Sequence, residues 1–388
     1  MSLPARPGLP PPYAFAGWDR VVAEARGRGL DVIRLDIGNP DLPPPPRVIE
    51  RLVRSVRRPD RHGYAGYRGR TELREAVAAY YERRFGVVLD PDREVAILLG
   101  SKDGIVHLTR AIAGAGDTVL IPDPGYPVYA GSARLAGART HRFSLLPEKA
   151  YAPDLPSISE DVVEAARLLW LNYPNNPTGA GASLELCEEA VGFAGRHGLL
   201  LGHDAPYCEV TYGDHPAPSV LQVDGAVGTA VEFNSFSKTW SMAGWRIGMA
   251  VGNADALAAL ARVKSNVDSG LFLPLQDAAI EALSTDRDWI EAQNAVYARR
   301  MTILVDGLCS AGLAAQRPSG GLYVWLPVPM EEPSEGFARR LLERSGVAVS
   351  PGSYFGPAGE GFVRLSITVP EERLTEAVAR IGAFTRTA

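Results

Sequence analysis

The sequence predicts an α/β protein with a large, mostly parallel sheet covered by helices and a smaller α+β domain. Between residues 95 and 251, short apolar runs rich in β-formers alternate with longer helical stretches, and each run ends near glycine, proline, asparagine or aspartate. The runs are continuously apolar, which indicates strands that are buried on both faces. After about Pro274 the pattern changes to a long helical region and then to grouped strands, as expected for a second domain.

Six runs in the first region carry the strand pattern: VAILL, DTVLIP, RLLWLN, LLLGHD, TAVEFNS and RIGMAVG. Three more, GGLYVWLPV, GVAVSPGS and GFVRLSITV, follow the long helical region, and a final helix is expected over about residues 371–385. Ligands of a parallel sheet lie beyond the carboxyl ends of its strands. Polar clusters after the strands are therefore the first candidates for a functional site.

The composition excludes several classes of function. The 388 residues include 46% hydrophobic and 22% charged residues, and 40 basic against 45 acidic side chains give a net charge of −5, so no nucleic-acid or membrane partner is indicated. Prolines stand where a signal peptide would have its apolar core. Cys187, Cys208 and Cys309 form no CxxC pair, which favours free thiols in a reducing, cytoplasmic compartment. The six histidines lack ligand spacing, so no metal is expected.

Two clusters follow early strands of the large region. In LLGSKDGIVHLTRAIA, Ser101 is expected to cap a helix whose free N–H groups would bind an anion, although a plain helix cap is the commoner explanation when this motif is taken alone. In PDPGYPVY, Tyr126 stands in a rigid proline–glycine turn, where an aromatic ring can stack on a flat ligand or simply pack in a loop.

Two further clusters offer amide and carboxylate groups. LNYPNNPTGA exposes Asn175 and Asn176 at a strand end, and turn chemistry alone does not explain two adjacent asparagines. LLLGHDAPYCEV ends an apolar strand in Asp204, with Tyr207 three residues later. A carboxylate leaving a buried strand requires a cation or hydrogen-bond donors, such as a protonated ring nitrogen. His203 is interpreted as a structural residue facing the other way.

The segment NSFSKTWSMAGWRIG, residues 234–248, holds Ser235, Ser237, Lys238 and Arg246. Hydroxyls and an arginine suit a phosphate dianion, and a lysine held beside them can form a Schiff base. Taken with the other clusters, this set matches a phosphate, a flat ring with a protonated nitrogen, a phenolic oxygen and an aldehyde. These are the parts of pyridoxal 5'-phosphate.

The chain resembles the fold-type-I, class I/II aminotransferases over nearly its whole length, and most closely bacterial LL-diaminopimelate aminotransferase-like proteins. GSKDGI, PDPGYPVY, LNYPNNPTGA, SKTWSMAGWRIG, KSNVDSG and PGSYFG carry the resemblance. It implies a seven-stranded, mostly parallel sheet and a small α+β domain. The implied division gives residues 1–39 to the small domain as an N-terminal segment, 40–275 to the large cofactor-binding domain and 276–388 to the small C-terminal domain.

The resemblance also implies roles for individual residues. Lys238 would form the Schiff base and move the proton, Asp204 would pair with the ring nitrogen, and Tyr207 would donate to the phenolic oxygen together with Asn176. Tyr126 would stack on the ring. The phosphate would be held by Ser101, the backbone at Lys102, Ser235, Ser237 and Arg246.

The resemblance further implies which residues bind the substrate and which residue reaches the partner subunit. Arg364, in FVRLSIT, matches the arginine that binds the substrate α-carboxylate, with help from Asn176 and the backbone at Gly38; a surface strand arginine is the alternative. Tyr64 matches a tyrosine that reaches the phosphate of the partner subunit in a homodimer, and Tyr67 competes for that role. The predicted reaction is ping-pong amino transfer between an L-amino acid and a 2-oxo acid, with the amino donor left open.

Alternatives remain for the outcome of the chemistry. A lyase, a racemase or an oxidase-like enzyme on the same fold would use the same Lys238 and Asp204. A ligand-sensing domain is disfavoured because only some 30 residues precede LDIGNPD, and a dinucleotide-binding enzyme because no GxGxxG follows a strand. Two departures from the subgroup, Pro206 before Tyr207 and Trp240 in place of a common tyrosine, argue against copying its substrate specificity.

Overall fold

A computed structural model describes residues 9–213, 216–329 and 332–387. Its strands are β1 Ile33–Arg34, β2 Val95–Leu98, β3 Thr118–Asp123, β4 Arg139–Ser144, β5 Ala166–Asn172, β6 Leu200–Asp204, β7 Ala230–Ser235, β8 Gly248–Gly252, β9 Tyr323–Pro327, β10 Val347–Ala348, β11 Ser350–Pro351 and β12 Phe362–Ser366. Its helices are α1 Ala14–Gly27, α2 Pro46–Val56, α3 Thr71–Phe85, α4 Ser101–Ile112, α5 Val128–Ala136, α6 Glu160–Glu164, α7 Leu184–His197, α8 Phe236–Thr239, α9 Ala254–Lys264, α10 Leu273–Leu283, α11 Arg287–Ser310, α12 Ser334–Ser345 and α13 Glu371–Thr387.

The large sheet has seven strands in the order β2-β8-β7-β6-β5-β3-β4. Strand β8 runs antiparallel to β2 and β7, and the other neighbours are parallel. The predicted α/β class with a mostly parallel seven-stranded sheet is therefore confirmed. Apolar clusters cover both faces, as the continuously apolar strands require.

The six strand runs of the large region all form strands of this sheet, and the sequence patterns missed the seventh. Strand β4 lies at the sheet edge and its residues RTHRFS are mostly exposed, so it lacks an apolar run. The long helical region after Pro274 forms two helices, α10 and α11, because the chain leaves helical geometry between Leu283 and Arg287.

A second core lies around the antiparallel sheet β11-β12-β9. Helices α1, α11, α12 and α13 contribute to this core, and β1 pairs in parallel with β10. The segment after β1 thus runs along the small sheet toward the carboxyl ends of the large one. The division at residues 39 and 275 stays a prediction; α10 crosses the second boundary and packs on α2 and α3.

Candidate active site

The carboxyl ends of the large sheet and the small sheet border a cavity of about 360 Å³. The predicted site residues that line it are Gly38, Ser101, Lys102, Tyr126, Asn176, Asp204, Tyr207, Ser235, Ser237, Lys238, Arg246 and Arg364. Tyr64 lies elsewhere, on a loop where its side chain is 92% exposed. Residues far apart in sequence meet here because β5, β6 and β7 are adjacent and parallel, so their carboxyl ends share one edge.

Asp204 ends β6 and is only 3% exposed. Its Oδ2 accepts a hydrogen bond from the Tyr129 hydroxyl at 2.8 Å, whereas no described residue bonds its Oδ1. Burial raises the pKa of this carboxyl to about 6, against a smaller lowering by the Tyr129 hydrogen bond. A buried carboxylate oxygen without a donor fits a protonated ring nitrogen, as pyridoxal phosphate would supply.

The residues predicted to hold phosphate lie around the start of α4 and the turn between β7 and β8. Arg246 adopts a left-handed conformation with φ 58°, and its Nη1 donates to the Ala243 carbonyl at 2.8 Å. A Cβ atom at Gly100 would lie 2.3 Å from Arg246 Nη2, so glycine is needed for this approach. Hydroxyls, helix N–H groups and an arginine together suit a phosphate dianion.

One detail of this region differs from the sequence prediction. Ser101 was expected to cap α4, but Gly100, with φ 93°, occupies the cap position and Ser101 is the first helical residue. Its backbone N–H therefore belongs to the unbonded first turn that binds anions. The position of the helix cap is therefore corrected by one residue, and anion binding at the start of α4 stays a prediction.

Lys238 lies in α8, and its Nζ donates to the Gly38 carbonyl at 2.5 Å. Burial lowers the pKa of this amine, Tyr323 opposes the change, and Arg364 and Arg246 lower the pKa further. The lowered pKa raises the fraction of neutral amine, which is the nucleophilic form.

Arg364 lies on β12 and is 4% exposed, so the alternative of a surface arginine is wrong. Its guanidinium donates to Asn176 Oδ1 at 2.8 Å and to the Asp36 carbonyl at 2.7 Å, and it lies 4.0 Å from the centre of the Tyr323 ring. No ion pair joins it to a carboxylate of a described residue. A buried cation held only by neutral groups fits a substrate carboxylate.

Among the residues that line or support the cavity without having been predicted from the sequence, Tyr129, Asn172 and Tyr323 form hydrogen bonds with predicted site residues. Tyr129 bonds Asp204, and it stands one helical turn after Tyr126 in GYPVY, which was a usable signal. Asn172, the last residue of β5, donates to the Asp204 carbonyl at 2.6 Å and accepts from the backbone of Asn176. Tyr323 places its hydroxyl 3.1 Å from that of Tyr207, and no local pattern marks it.

Further residues noted in the sequence lie in the core or at the cavity, or are free thiols. His203 Nδ1 lies 2.9 Å from Glu232 Oε2 in the core, as expected of a structural histidine. Cys187, Cys208 and Cys309 are free thiols. Of the two departures from the subgroup, Pro206 lines the cavity, whereas Trp240 packs against Phe236 in the core.

Outside the cavity, Asp103, His107 and Asp268 bring possible metal-ligand atoms within 4.8 Å of one another. Asp268 already accepts from the Lys264 ammonium at 2.5 Å, which supplies positive charge there. The expected absence of a metal stays a prediction. In the ranges that the structure describes, every helix is too short or too polar to span a membrane.

Solved structures and curated sequences resemble this chain over nearly its full length. An LL-diaminopimelate aminotransferase from Dehalococcoides mccartyi is 46% identical over 374 residues, which cover 96% of each chain. Substrate-bound BacF from Bacillus subtilis matches with a TM-score of 0.94 and 37% identity over 98% of both chains. A probable N-succinyldiaminopimelate aminotransferase from Thermus thermophilus matches with a TM-score of 0.90 and 39% identity, covering 95% of this chain and 99% of that one.

These similarities favour amino transfer over the lyase, racemase, oxidase-like and ligand-sensing alternatives. The family model for aminotransferase class I and II matches residues 30–381, more than nine-tenths of the described chain. The protein therefore belongs to the class I and II aminotransferase family and is an enzyme that transfers amino groups with pyridoxal phosphate as its cofactor.

Proposed function

We propose that this aminotransferase moves an amino group from LL-diaminopimelate to 2-oxoglutarate by a ping-pong mechanism. The observation that carries the proposal is the 46% identity to an LL-diaminopimelate aminotransferase over 96% of the chain. Diaminopimelate carries a second amino acid head group, so its recognition requires charges beyond those that bind the reacting end.

The cavity offers charges of both signs for that second head group. Lys102 points its Nζ at the rings of Tyr13 and Tyr126, 4.1 Å and 5.8 Å from their centres, and makes no ion pair with a carboxylate of the described residues. Burial, with Arg246 nearby, lowers the pKa of Lys102. Asp19 lines the same cavity with its side chain half exposed, and its Oδ1 already accepts a hydrogen bond from the Arg34 guanidinium at 2.6 Å. The distal carboxylate of diaminopimelate would bind near Lys102, and its distal ammonium would bind near Asp19.

When bound, the cofactor supplies an electron sink for charge that develops at the substrate Cα. The lowered pKa of Lys238 suits its proposed role as the amine that takes the Cα proton and returns it in the second half of the reaction. Arg364 and Asn176 would fix the α-carboxylate, and Asp204 would hold a proton on the ring nitrogen. Tyr207 would donate to the ring oxygen, and Ser101, Ser235, Ser237 and Arg246 would hold the phosphate.

A half-reaction experiment tests the amino donor. Holoenzyme mixed with LL-diaminopimelate and no 2-oxo acid should lose its visible cofactor absorbance, with a second-order rate constant about 100-fold above that of alanine or phenylalanine. Aspartate, glutamate and N-succinyldiaminopimelate belong in the same panel. A faster reaction with any of these would assign that donor instead and contradict the proposal.

The same mixture separates amino transfer from other outcomes. A transaminase should release one oxo product per active site and then stop until a 2-oxo acid is added. Continuous release of ammonia would identify a lyase or an oxidase-like enzyme, and loss of optical activity without an oxo product would identify a racemase. Either result would overturn the proposed reaction while leaving the cofactor assignment intact.

We further propose a cytoplasmic homodimer in which Tyr64 reaches the phosphate site of the partner subunit. The free thiols support a reducing compartment. Tyr64 is 92% exposed, and Tyr67, Val267 and Phe272 are exposed apolar side chains, a combination expected where a second copy packs. Tyr67, at 53% exposed, remains the competing residue for the cross-subunit contact.

Replacing Tyr64 with phenylalanine should weaken cofactor binding about 10- to 100-fold, because one hydrogen bond to a charged group would be lost. Equilibrium dialysis of pyridoxal phosphate measures the change, and Tyr67→Phe is the matched control with unchanged affinity. Sedimentation should give a dimer for both variants. A larger effect in Tyr67→Phe would transfer the role to Tyr67, and a monomeric wild type would exclude it for both.

A further inference from the structure

Tyr323 occupies a position between three parts of the cavity. It starts β9 and is buried, and its hydroxyl lies 3.1 Å from the Tyr207 hydroxyl. On its other side, the hydroxyl approaches the backbone of Gly38 so closely that a Cβ atom there would lie 1.9 Å from it. Gly38 in turn accepts the hydrogen bond from Lys238. A glycine at this position is therefore required for the tyrosine to reach Tyr207.

The charges around this hydroxyl are mainly positive. Arg364 lies 4.0 Å from the ring centre, and Lys238 is the second cation that faces it. Burial alone would raise the pKa of Tyr323, but Arg364, Lys238 and the Tyr207 hydrogen bond outweigh it, so the pKa is lowered. For Tyr207, burial and the neighbouring phenol raise the pKa well above its ordinary value.

The two pKa shifts agree with one of the two possible directions of the hydrogen bond between the phenols, the one in which Tyr323 donates. The more acidic hydroxyl is the better donor and the less acidic one the better acceptor. The two hydroxyls lie 3.1 Å apart and either can donate; when Tyr323 donates, Tyr207 keeps its own proton to donate elsewhere. That second bond can point into the cavity, because Tyr207 is one of the residues that line it.

We propose that Tyr323 is a positioning residue that holds the Tyr207 hydroxyl as a donor toward the ring oxygen of the bound cofactor. The inference rests on the proposed role of Tyr207 and adds a residue to it. A hydroxyl that accepts one hydrogen bond donates a stronger one, since chained hydrogen bonds polarise each other. Tyr323 thus acts on the cofactor through Tyr207, while its ring supports the guanidinium of Arg364.

The experiment is a pH titration of the visible absorbance of the holoenzyme. A donor to the ring oxygen stabilises negative charge on it and so lowers the pH midpoint of the absorbance change. Tyr207→Phe should raise that midpoint by about 1 pH unit or more. Tyr323→Phe should raise the midpoint by about 0.5 pH unit, because the Tyr207 hydroxyl remains but is no longer polarised and aligned by Tyr323.

The double variant Tyr207→Phe/Tyr323→Phe separates the direct from the indirect effect. Its midpoint should equal that of Tyr207→Phe if Tyr323 acts through Tyr207 and not directly through Lys238 or Arg364, the two cations that also face it. Tyr212→Phe is the matched control: it also removes one tyrosine hydroxyl bond, to the Gly321 carbonyl at 2.8 Å, and should leave the midpoint unchanged. Circular dichroism verifies that each variant is folded, and Tyr323→Leu removes the same hydroxyl if the phenylalanine variant does not fold.

The outcomes distinguish a failure of the proposed role of Tyr323 from a failure of the proposed role of Tyr207. A shift in Tyr207→Phe with none in Tyr323→Phe overturns the role of Tyr323 and leaves that of Tyr207. No shift in Tyr207→Phe overturns the proposed role of Tyr207 itself. Additive shifts in the double variant would show that Tyr323 acts independently of Tyr207. The same conclusion would follow if Tyr323→Phe bound an unreactive dicarboxylate more weakly while its midpoint stayed unchanged.

Discussion

Replacing Lys238 with alanine should lower kcat by about 10⁴-fold, the upper end of what one positioned acid–base group supplies. The cavity has a second lysine, Lys102, but its amine lies over the Tyr13 ring, whereas Lys238 bonds Gly38 beside Arg364 and Tyr323. Arg246, the serines and Asp204 are unchanged by the substitution, so pyridoxal phosphate should still bind. Stopped-flow absorbance with LL-diaminopimelate measures the rate, and dialysis measures the cofactor content.

Lys149→Ala is the control for loss of a lysine, because Lys149 is exposed and pairs with Asp154 away from the cavity. It should retain wild-type kcat and cofactor content. Substantial amino transfer by Lys238→Ala would contradict the assignment of Lys238 as the proton-transferring amine. Loss of both cofactor and fold would instead give Lys238 a structural role.

The position of the site was predictable because parallel strands bring the polar residues at their carboxyl ends to the same edge of the sheet. Asp204, Asn176 and Ser235 each end or follow a predicted strand and so come to this edge. The structure places these residues around one cavity. Their individual roles stay predictions, because a residue that lines the cavity need not contact the cofactor.

Other features depend on contacts that no local pattern encodes. Tyr323 reaches Tyr207 across 116 positions of sequence, through the way β9 packs beside the large sheet. Strand β4 is held by pairing with β3 at an exposed edge, so its residues need no apolar run. The cap of α4 moved from Ser101 to Gly100 because the turn requires a positive φ, which glycine adopts without cost.

Asp204 illustrates how a residue with a proposed role in catalysis can destabilise the cofactor-free protein. Its pKa is raised to about 6 by burial, above the ordinary value of 3.8. Between these values the folded protein holds a proton that the unfolded chain releases, so this carboxyl's contribution to stability falls as pH rises from about 4 to 6. Above pH 6 the folded, cofactor-free protein contains a buried carboxylate, at a cost of about 3 kcal/mol.

Asp204→Asn should therefore have opposite effects on stability and on catalysis. At pH 7.5 the cofactor-free variant should be more stable than the cofactor-free wild type by up to about 3 kcal/mol, and at pH 4 the two should be equal, because Asp204 is then protonated. Urea unfolding at both pH values measures this difference, with holoenzyme as the comparison.

In the holoenzyme the neutral amide cannot keep a proton on the ring nitrogen, and the loss of one partner of a buried ion pair should lower kcat by about 10³-fold. Asp204→Glu is the matched variant that retains the charge, and it should recover part of the rate. A wild-type rate in Asp204→Asn would show that the carboxylate does not act on the ring nitrogen. An Asp204→Asn protein less stable than wild type at pH 7.5 without cofactor would show that the carboxylate is satisfied in the folded chain by donors of its own.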